Sequence, residues 1–389
     1  MTETIQAIDL KNPDKSNWET YRFDEIAKNI SERVDPNNTD LEIYIGLEHI
    51  DAESIHIKRT GTPDDVDGQK LRCYPGDVIF GRRRAYQRKA AIAPADGFCS
   101  AHSLVLRANP DVIEPKLFPF FLHSDLFMHR AIDISVGSLS PTINWGTLKH
   151  QEFMLPPKYQ QAQLAELLWA MDEMVEKDSE VTEKLSYTYS VYVDDLFIQH
   201  KPDWQYIPLS KIANINKRSL KSNTDPNYEF QYLDIASILE PKVINNLQKL
   251  KFAEAPSRAR RIVTDNSIVL SLVRPYHKSF VLIECSNGII ASTGTAVVDI
   301  KEKYNTKFVF HQFFSRKFLM FCENRMTGTN YPSITSTDLE QFEVALPNDD
   351  LTQIAYVQKL DLLDYSIKKI KNKIIDSKNI QKTIINQIF

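Results

Sequence analysis

One stretch of this chain occurs twice. Gly137-Ser-Leu-Ser-Pro141-Thr-Ile143-Asn-Trp-Gly-Thr-Leu148 aligns without a gap with Gly328-Thr-Asn-Tyr-Pro332-Ser-Ile334-Thr-Ser-Thr-Asp-Leu339, and the match runs on through Glu152/Glu343, Leu155/Leu346 and Pro156/Pro347. Solenoid units recur every ~20 to 50 residues. The offset here, 191 residues from Gly137 to Gly328, is that of a whole domain with its connector. Two copies of one domain in one chain imply two sites of one kind.

The register extends beyond that stretch. Arg84-Ala-Tyr86-Gln-Arg88 lies opposite Arg274-Pro-Tyr276-His-Lys278, Gln163-Leu-Ala165 opposite Gln353-Ile-Ala355, and Trp18 with Ile26-Ala27 opposite Trp204 with Ile212-Ala213. The offset drifts by only a few residues, which reads as small loop insertions on a shared framework. The middles, Tyr44 to Ala90 and Tyr232 to Ser279, share little beyond pattern. What differs between the copies is expected to be what each copy reads.

At 389 residues, 42% hydrophobic and 25% charged, with no apolar run of membrane-span length, the chain has the composition of a soluble protein with two cores. Met1 to Ser16 is polar and mixed in charge, unlike a secretion signal. Cys73, Cys99, Cys285 and Cys322 lack CxxC pairing or nearby histidine at zinc spacing, so reduced, mostly buried thiols of a cytoplasmic protein are expected. The net charge of -4 does not mark a nucleic-acid binder. Any such reading must rest on where the charge sits.

Two segments carry helical periodicity. After Pro156-Pro157 the chain runs to about Lys201 with apolar residues at Leu164, Leu168, Met171, Val175, Val181 and Leu185; after Pro347 it runs on with Leu360, Leu363, Ile367, Ile370 and Ile374. The second set has the three-four spacing of a heptad stripe. A helix of ~40 residues reaches about 60 Å at about 1.5 Å per residue. Such helices would bury their stripes best against each other, antiparallel, although independent docking of each stays open. Lys368, Lys369, Lys371 and Lys373 around the second stripe suit a solvated face. The boundaries that follow are globular domains over 1–156 and 202–347, and spacer helices over 157–201 and 348–389.

The globular halves read as mixed α/β. Gly76 to Phe80, Ser103 to Leu106, Ser267 to Ser271 and Phe280 to Ile283 have the β-branched and aromatic content of strands between turn-formers. Pro115 to Met128 and Lys307 to Cys322, rich in Phe and Leu, each read as a helix packed on that sheet. Their aromatics are expected in the core.

Basic residues recur at matched places. Arg82, Arg83, Arg84, Arg88 and Lys89 surround Tyr86, while Arg258, Arg260 and Arg261 precede a strand leading to Arg274, Tyr276, His277 and Lys278. Guanidinium groups interleaved with tyrosine suit DNA, since they bind phosphate or guanine edges bidentately while the ring packs on sugar or base. A solubilising loop would look similar in one copy; repetition in two divergent copies favours nucleic acid. The proline loops offer Ser138, Ser140, Thr142 and Asn144 in one copy and Thr329, Asn330, Tyr331 and Ser333 in the other. Short hydroxyl and amide side chains serve phosphate contacts and rigid turns alike, and both uses stay open.

The doubled layout, the Gly-x-x-x-Pro-x-Ile stretch with its downstream Leu-Pro, and the following Gln163-Leu-Ala-Glu-Leu-Leu168 resemble the specificity subunit of type I restriction-modification systems. The resemblance covers nearly the whole chain. It implies two target-recognition domains alternating with two antiparallel helices, each domain reading one half of a split double-stranded DNA sequence and the helices setting the gap. It also implies a non-catalytic subunit without cofactor or metal of its own in the bacterial or archaeal cytoplasm, associated with the nucleoid and not with membrane. Two modification subunits would methylate adenine N6 with S-adenosylmethionine, and restriction subunits would use ATP and magnesium. Partner contacts would fall on the helices marked by Leu164, Leu168, Met171, Leu360, Leu363, Ile367, Ile370 and Ile374. The second copy departs at Asn348-Asp349-Asp350, opposite Pro157-Lys158-Tyr159.

Three other functions fit these residues less well. An adenine methyltransferase needs a glycine-rich cofactor loop and an Asn/Asp-Pro-Pro-aromatic signature, whereas the chain's one Pro-Pro is Pro156-Pro157. Short acidic strings such as Pro202-Asp203, Asp299-Ile-Lys301 and Asp376-Ser-Lys378 mimic a nuclease pattern, but strings that short arise by chance. A non-catalytic protein scaffold that does not bind DNA remains the alternative, and salt-sensitive DNA binding discriminates against it.

Overall fold

In a computed structural model of the chain, residues 13–238, 242, 244 and 247–389 are described. The chain forms two compact units, one comprising residues up to Ser179 together with Lys371–Phe389, the other Glu180–Ile370.

In the first unit the strands Ala27–Ile30, Ser103–Ala108, Val78–Gly81 and Ala90–Ile92 lie side by side as an antiparallel sheet. A smaller mixed sheet holds Arg33–Val34, Lys70–Cys73, Gly97–Cys99 and Tyr44–Ile45. The central strands are apolar almost throughout because both of their faces are covered. Val78, Phe80, Leu104 and Leu106 point at a helical layer that includes Phe121, Phe127 and Met128. Ile79 and Val105, one residue out of phase, point at Ile45, Leu71, Cys73 and Cys99 of the smaller sheet. A two-stranded ribbon, Glu19–Arg22 with Glu152–Leu155, closes the domain by joining its first strand to its last.

The second unit has the same plan. Ala213–Ile215, Thr295–Ile300, Ser267–Ser271 and Phe280–Ile283 make the antiparallel sheet, and Gln248–Lys251, Glu229–Leu233, Ile289–Ser292 and Ala259–Ile262 the mixed one. Trp204–Pro208 pairs with Glu343–Pro347 as the closing ribbon. The mixed α/β class and the doubling are therefore as expected.

The Phe- and Leu-rich runs differ from the expected single helices. Each breaks into two, Phe118–Leu122 and Asp125–Asp133 in one copy, Thr306–Gln312 and Arg316–Glu323 in the other. The break is a serine: Ser124 and Ser315 stand extended and accept from the amides of Phe127 and Phe318, both at 3.2 Å. A helix start satisfied by its own side chain competes with continuing the preceding helix.

The long helices run over Lys158–Phe197 and Asp350–Ile388. Inside the first unit they are antiparallel: Gln381 donates to the carbonyl of Leu168 at 3.1 Å, and Lys373 pairs with Asp178 at 2.8 Å. Their ends also dock on their own domains. Leu164 and Leu168 join Leu117, Phe120, Ile385 and Ile388 in one cluster, while Leu360 joins Val193, Leu196 and Phe308 in another, with Leu363 and Ile367 at its edge. Ile370 and Ile374 are half-buried.

Two expectations along these helices need correction. Met171 is only half-buried and Val181 is exposed, because the inward positions fall one residue later, on Asp172 and Thr182. The buried seam there alternates Asp172 and Thr182 with Val175, so an apolar-only count slips off it at its polar positions. The Gln-x-Ala match also slips. The glutamine sharing a role with Gln353 is Gln161 rather than Gln163: both are buried, and they donate to the carbonyls of Pro347 and Pro156 respectively. Cys73, Cys99 and Cys322 are buried free thiols and Cys285 is exposed. Among the described residues no helix is long and apolar enough to cross a membrane.

Candidate nucleic-acid interface

The Arg-x-Tyr segments are single helical turns with an unusual closure. Ala85–Gln87 and Pro275–His277 form one 3-10 turn each, flanked by Arg84 and Arg88 and by Arg274 and Lys278. All four flanking residues are left-handed, at φ 56°, 51°, 48° and 54°. That region costs a residue with a side chain about 1 to 2 kcal/mol, so it persists only where the surroundings fix it. The first residue of each turn, Ala85 or Pro275, is buried, and the tyrosine after it is turned outward, Tyr86 at 55% and Tyr276 at 41% exposure. The short buried residue anchors the turn and the ring is presented to solvent.

The proline loops supply the constraint. Arg84 N donates to Pro141 O at 2.8 Å and Ile143 N to Arg82 O at 2.9 Å; in the second unit Arg274 N donates to Pro332 O at 2.8 Å and Ile334 N to Leu272 O at 3.0 Å. Each loop is pinched by a two-way bridge, Val136 with Thr142 and Thr327 with Ser333. Gly137 and Gly328 turn it at φ 112° and 93°, which a side chain would oppose. Turn and loop thus form one rigid element in each unit, and the rigid-turn role of these residues is realised.

The loop tips face solvent. Ser138 and Asn144 are exposed, Ser140 and Thr142 half-buried, with Thr142 Oγ1 donating to Ser140 O at 3.0 Å; between them Leu139 is 92% exposed. In the second unit Thr329, Asn330 and Tyr331 are exposed and Ser333 is half-buried. Arg274 donates to Asn330 O at 2.9 Å, and its guanidinium lies 4.8 Å from the Tyr331 ring centroid. His277 is exposed against Tyr276, with ring centroids 4.6 Å apart.

The basic residues divide by direction. Arg84 is exposed, with Arg82 and Arg83 half-buried beside it. Arg83 Nη1 lies 3.3 Å from Nε2 of His102, whose imidazole is held below its ordinary pKa by burial and then by the Arg83 and Arg82 charges. Sequence reading passed over His102 because its counterpart in the repeat is Gly294: Arg82 N and Leu272 N donate to those two carbonyls. Arg88, Lys89 and Lys278 point inward, Lys89 to Leu47 O at 2.6 Å and Lys278 to Phe314 O at 3.2 Å. Arg260 and Arg261 precede the strand Ser267–Ser271 that leads to Arg274, as expected, and lie within a strand of their own, Ala259–Ile262, in which Ala259 is buried and both arginines are half-buried. Arg260 sits over Phe252 at 4.8 Å and Arg261 donates to Ser219 at 3.4 Å, away from the turn. Arg258 is exposed, and its carbonyl accepts from Thr293, the neighbour of Gly294. Asp299 of the nuclease-like string accepts from Ser267 Oγ at 2.5 Å, a structural role.

Residues 15–185 match the type I restriction modification DNA specificity domain. The chain is 23% identical over 387 residues to the putative type I restriction enzyme MjaX specificity subunit of Methanocaldococcus jannaschii, covering 87% of each. It is 28% identical over 167 residues to the type I restriction enzyme EcoDI specificity subunit of Escherichia coli, over 42% of this chain and 37% of that one. Its fold is that of the type I restriction-modification system S subunit from M. genitalium, at TM-score 0.57, 16% identity and 96% coverage of both chains. A chain described in work on assembly and conformational transition of the type I R-M system has TM-score 0.56, 17% identity and coverage of 95% and 97%. The first copy thus matches the type I restriction modification DNA specificity domain, and over most of its length the chain resembles the specificity subunits of type I restriction enzymes.

Proposed function

We propose that each globular unit reads one half of a bipartite DNA site through its tyrosine turn and proline loop, with Arg84, Tyr86, Ser138, Ser140, Thr142 and Asn144 in one unit and Arg274, Tyr276, His277, Thr329, Asn330, Tyr331 and Ser333 in the other. The observation that carries this is the same tightly bonded, left-handed turn in both units, with a tyrosine turned outward and an arginine beside it, exposed at Arg84 and half-buried at Arg274, in segments whose surroundings have diverged. Arginine and hydroxyl groups at the tips suit phosphate and base edges. The domains span 1–156 and 202–347, and the helices over 157–201 and 348–389 carry contacts to two modification subunits and to restriction subunits. Specificity subunits are non-catalytic. The adenine N6 methylation with S-adenosylmethionine and the ATP- and magnesium-dependent cleavage therefore belong to those partners, in the cytoplasm at the nucleoid. Methylome sequencing of cells carrying this chain with its modification subunit, against cells lacking this chain, should reveal a gained bipartite motif with N6-methyladenine in each half. A formed complex with no motif would instead leave a protein scaffold.

A further inference from the structure

Each exposed turn ends in a cation that points into the protein. The Arg88 side chain is only 16% exposed; Nη2 donates to His123 O at 2.5 Å, Nη1 to Asp125 Oδ1 at 2.8 Å, and Nε lies 3.2 Å from Glu53. Lys278, at the same place in the second turn, donates to Phe314 O at 3.2 Å. His123 and Phe314 are themselves equivalent, each the residue before the serine that caps the next short helix. That junction is then held by a long helix. Asp125 N donates to Asn386 Oδ1 at 2.8 Å and Asn386 Nδ2 returns to Asp125 Oδ2 at 2.6 Å, while Arg316 N donates to Asp194 Oδ1 at 2.6 Å. Glu53 adds a second tie in the first unit, to Lys382 at 2.6 Å.

The side chains differ between the copies, arginine for lysine and asparagine for aspartate, yet the backbone atoms engaged are the same. Geometry is repeated where residue identity is not. A guanidinium whose fork is already filled by a carbonyl and a carboxylate has no free edge for phosphate or guanine. The left-handed backbone at Arg88 and Lys278 is offset by these inward bonds.

We infer that Arg88 and Lys278 are positioning residues for DNA recognition: each clamps the tyrosine turn of its unit onto a junction that a long helix caps, and neither touches DNA. The inference rests on the proposed DNA-facing role of the turns.

The test uses the full chain assembled with its modification subunits. Lys278→Met keeps the stem and removes the donor; Arg88→Lys installs the second unit's solution in the first, and Arg88→Met removes it. Without DNA, hydrogen exchange at His277 and Lys278 should accelerate about tenfold in Lys278→Met, with Gln87 and Arg88 unchanged. Arg88→Met should do the converse, and Arg88→Lys should stay within about threefold of the parent. On the target defined by methylome sequencing, Lys278→Met should weaken binding about tenfold with the salt slope unchanged, because no phosphate contact is lost. Unchanged exchange overturns the clamp, and a slope lower by about one makes these residues phosphate ligands instead. Silence of Lys278→Met where Arg274→Ala and Tyr276→Ala weaken binding refutes the positioning role alone. Silence of all of them refutes the turn's DNA role, and the inference with it.

Discussion

Arg84 and Arg274 stand at the outer edge of the two turns, and each is expected to serve one half-site. Arg84→Ala and Arg274→Ala should each cost about 1 to 3 kcal/mol of binding if they read a base. Loss confined to substitutions in one half of the target is the expected pattern; equal loss on unrelated DNA would identify a phosphate contact. His56 offers a separate check on the first unit. Its Nε2 lies 2.6 Å from Asp172, and the hydrogen bond to that carboxylate raises the imidazole pKa against the opposing effect of burial. A raised folded-state pKa gives stability that is full below the unfolded value of about 6.5 and is lost as pH rises through the folded one. The melting-temperature gap between the parent and His56→Gln should therefore shrink on going from about pH 6 to alkaline pH, and a constant gap would rule out the ion pair. At this scale the Arg-x-Tyr motif was legible because it occurs twice. The inward turn of Arg88 was not, since it depends on Glu53 and Asp125, 35 and 37 residues away.

The elements are held by burial at a few positions. Leu168 and Leu360 are fully buried on the two long helices, each within its own unit's core. Leu168→Ala and Leu360→Ala should each destabilise by about 2 to 5 kcal/mol, read as a lowered denaturation midpoint with unchanged slope. Ser124→Ala and Ser315→Ala should cost about 1 to 2 kcal/mol each, because the cap and the hydroxyl's own bond to Phe121 O or Gln312 O are lost without a cavity of leucine size. A negligible effect in both would mean the short helices start without them. The long helices were legible from proline at their ends and three-four spacing between. Their inward phase near Asp172 and Thr182 was not, because Asp172 is buried against His56 from a distant segment and apolar counting cannot see a polar inward position. The same limit hid the serine breaks in the aromatic runs.

As a whole the molecule carries a net charge of -4, so attraction to DNA must come from local fields, on the proposed reading those around the turns. Binding should fall linearly in log Kd with log salt, and Arg84→Ala with Arg274→Ala should be additive within about 0.5 kcal/mol, as for independent sites. Strong non-additivity would show that the two units engage DNA as one. The amino-acid sequence by itself determined the doubling, the mixed α/β class, the two long helices and the family resemblance, because repeats and hydrophobic periods are properties of order along the chain. Only the tertiary structure decided which basic side chains face outward, which glutamine matches Gln353, and how proline loop and tyrosine turn lock together. Those outcomes depend on hydrogen bonds between residues tens of positions apart, and a one-dimensional pattern carries no information about the direction in which a side chain leaves the backbone.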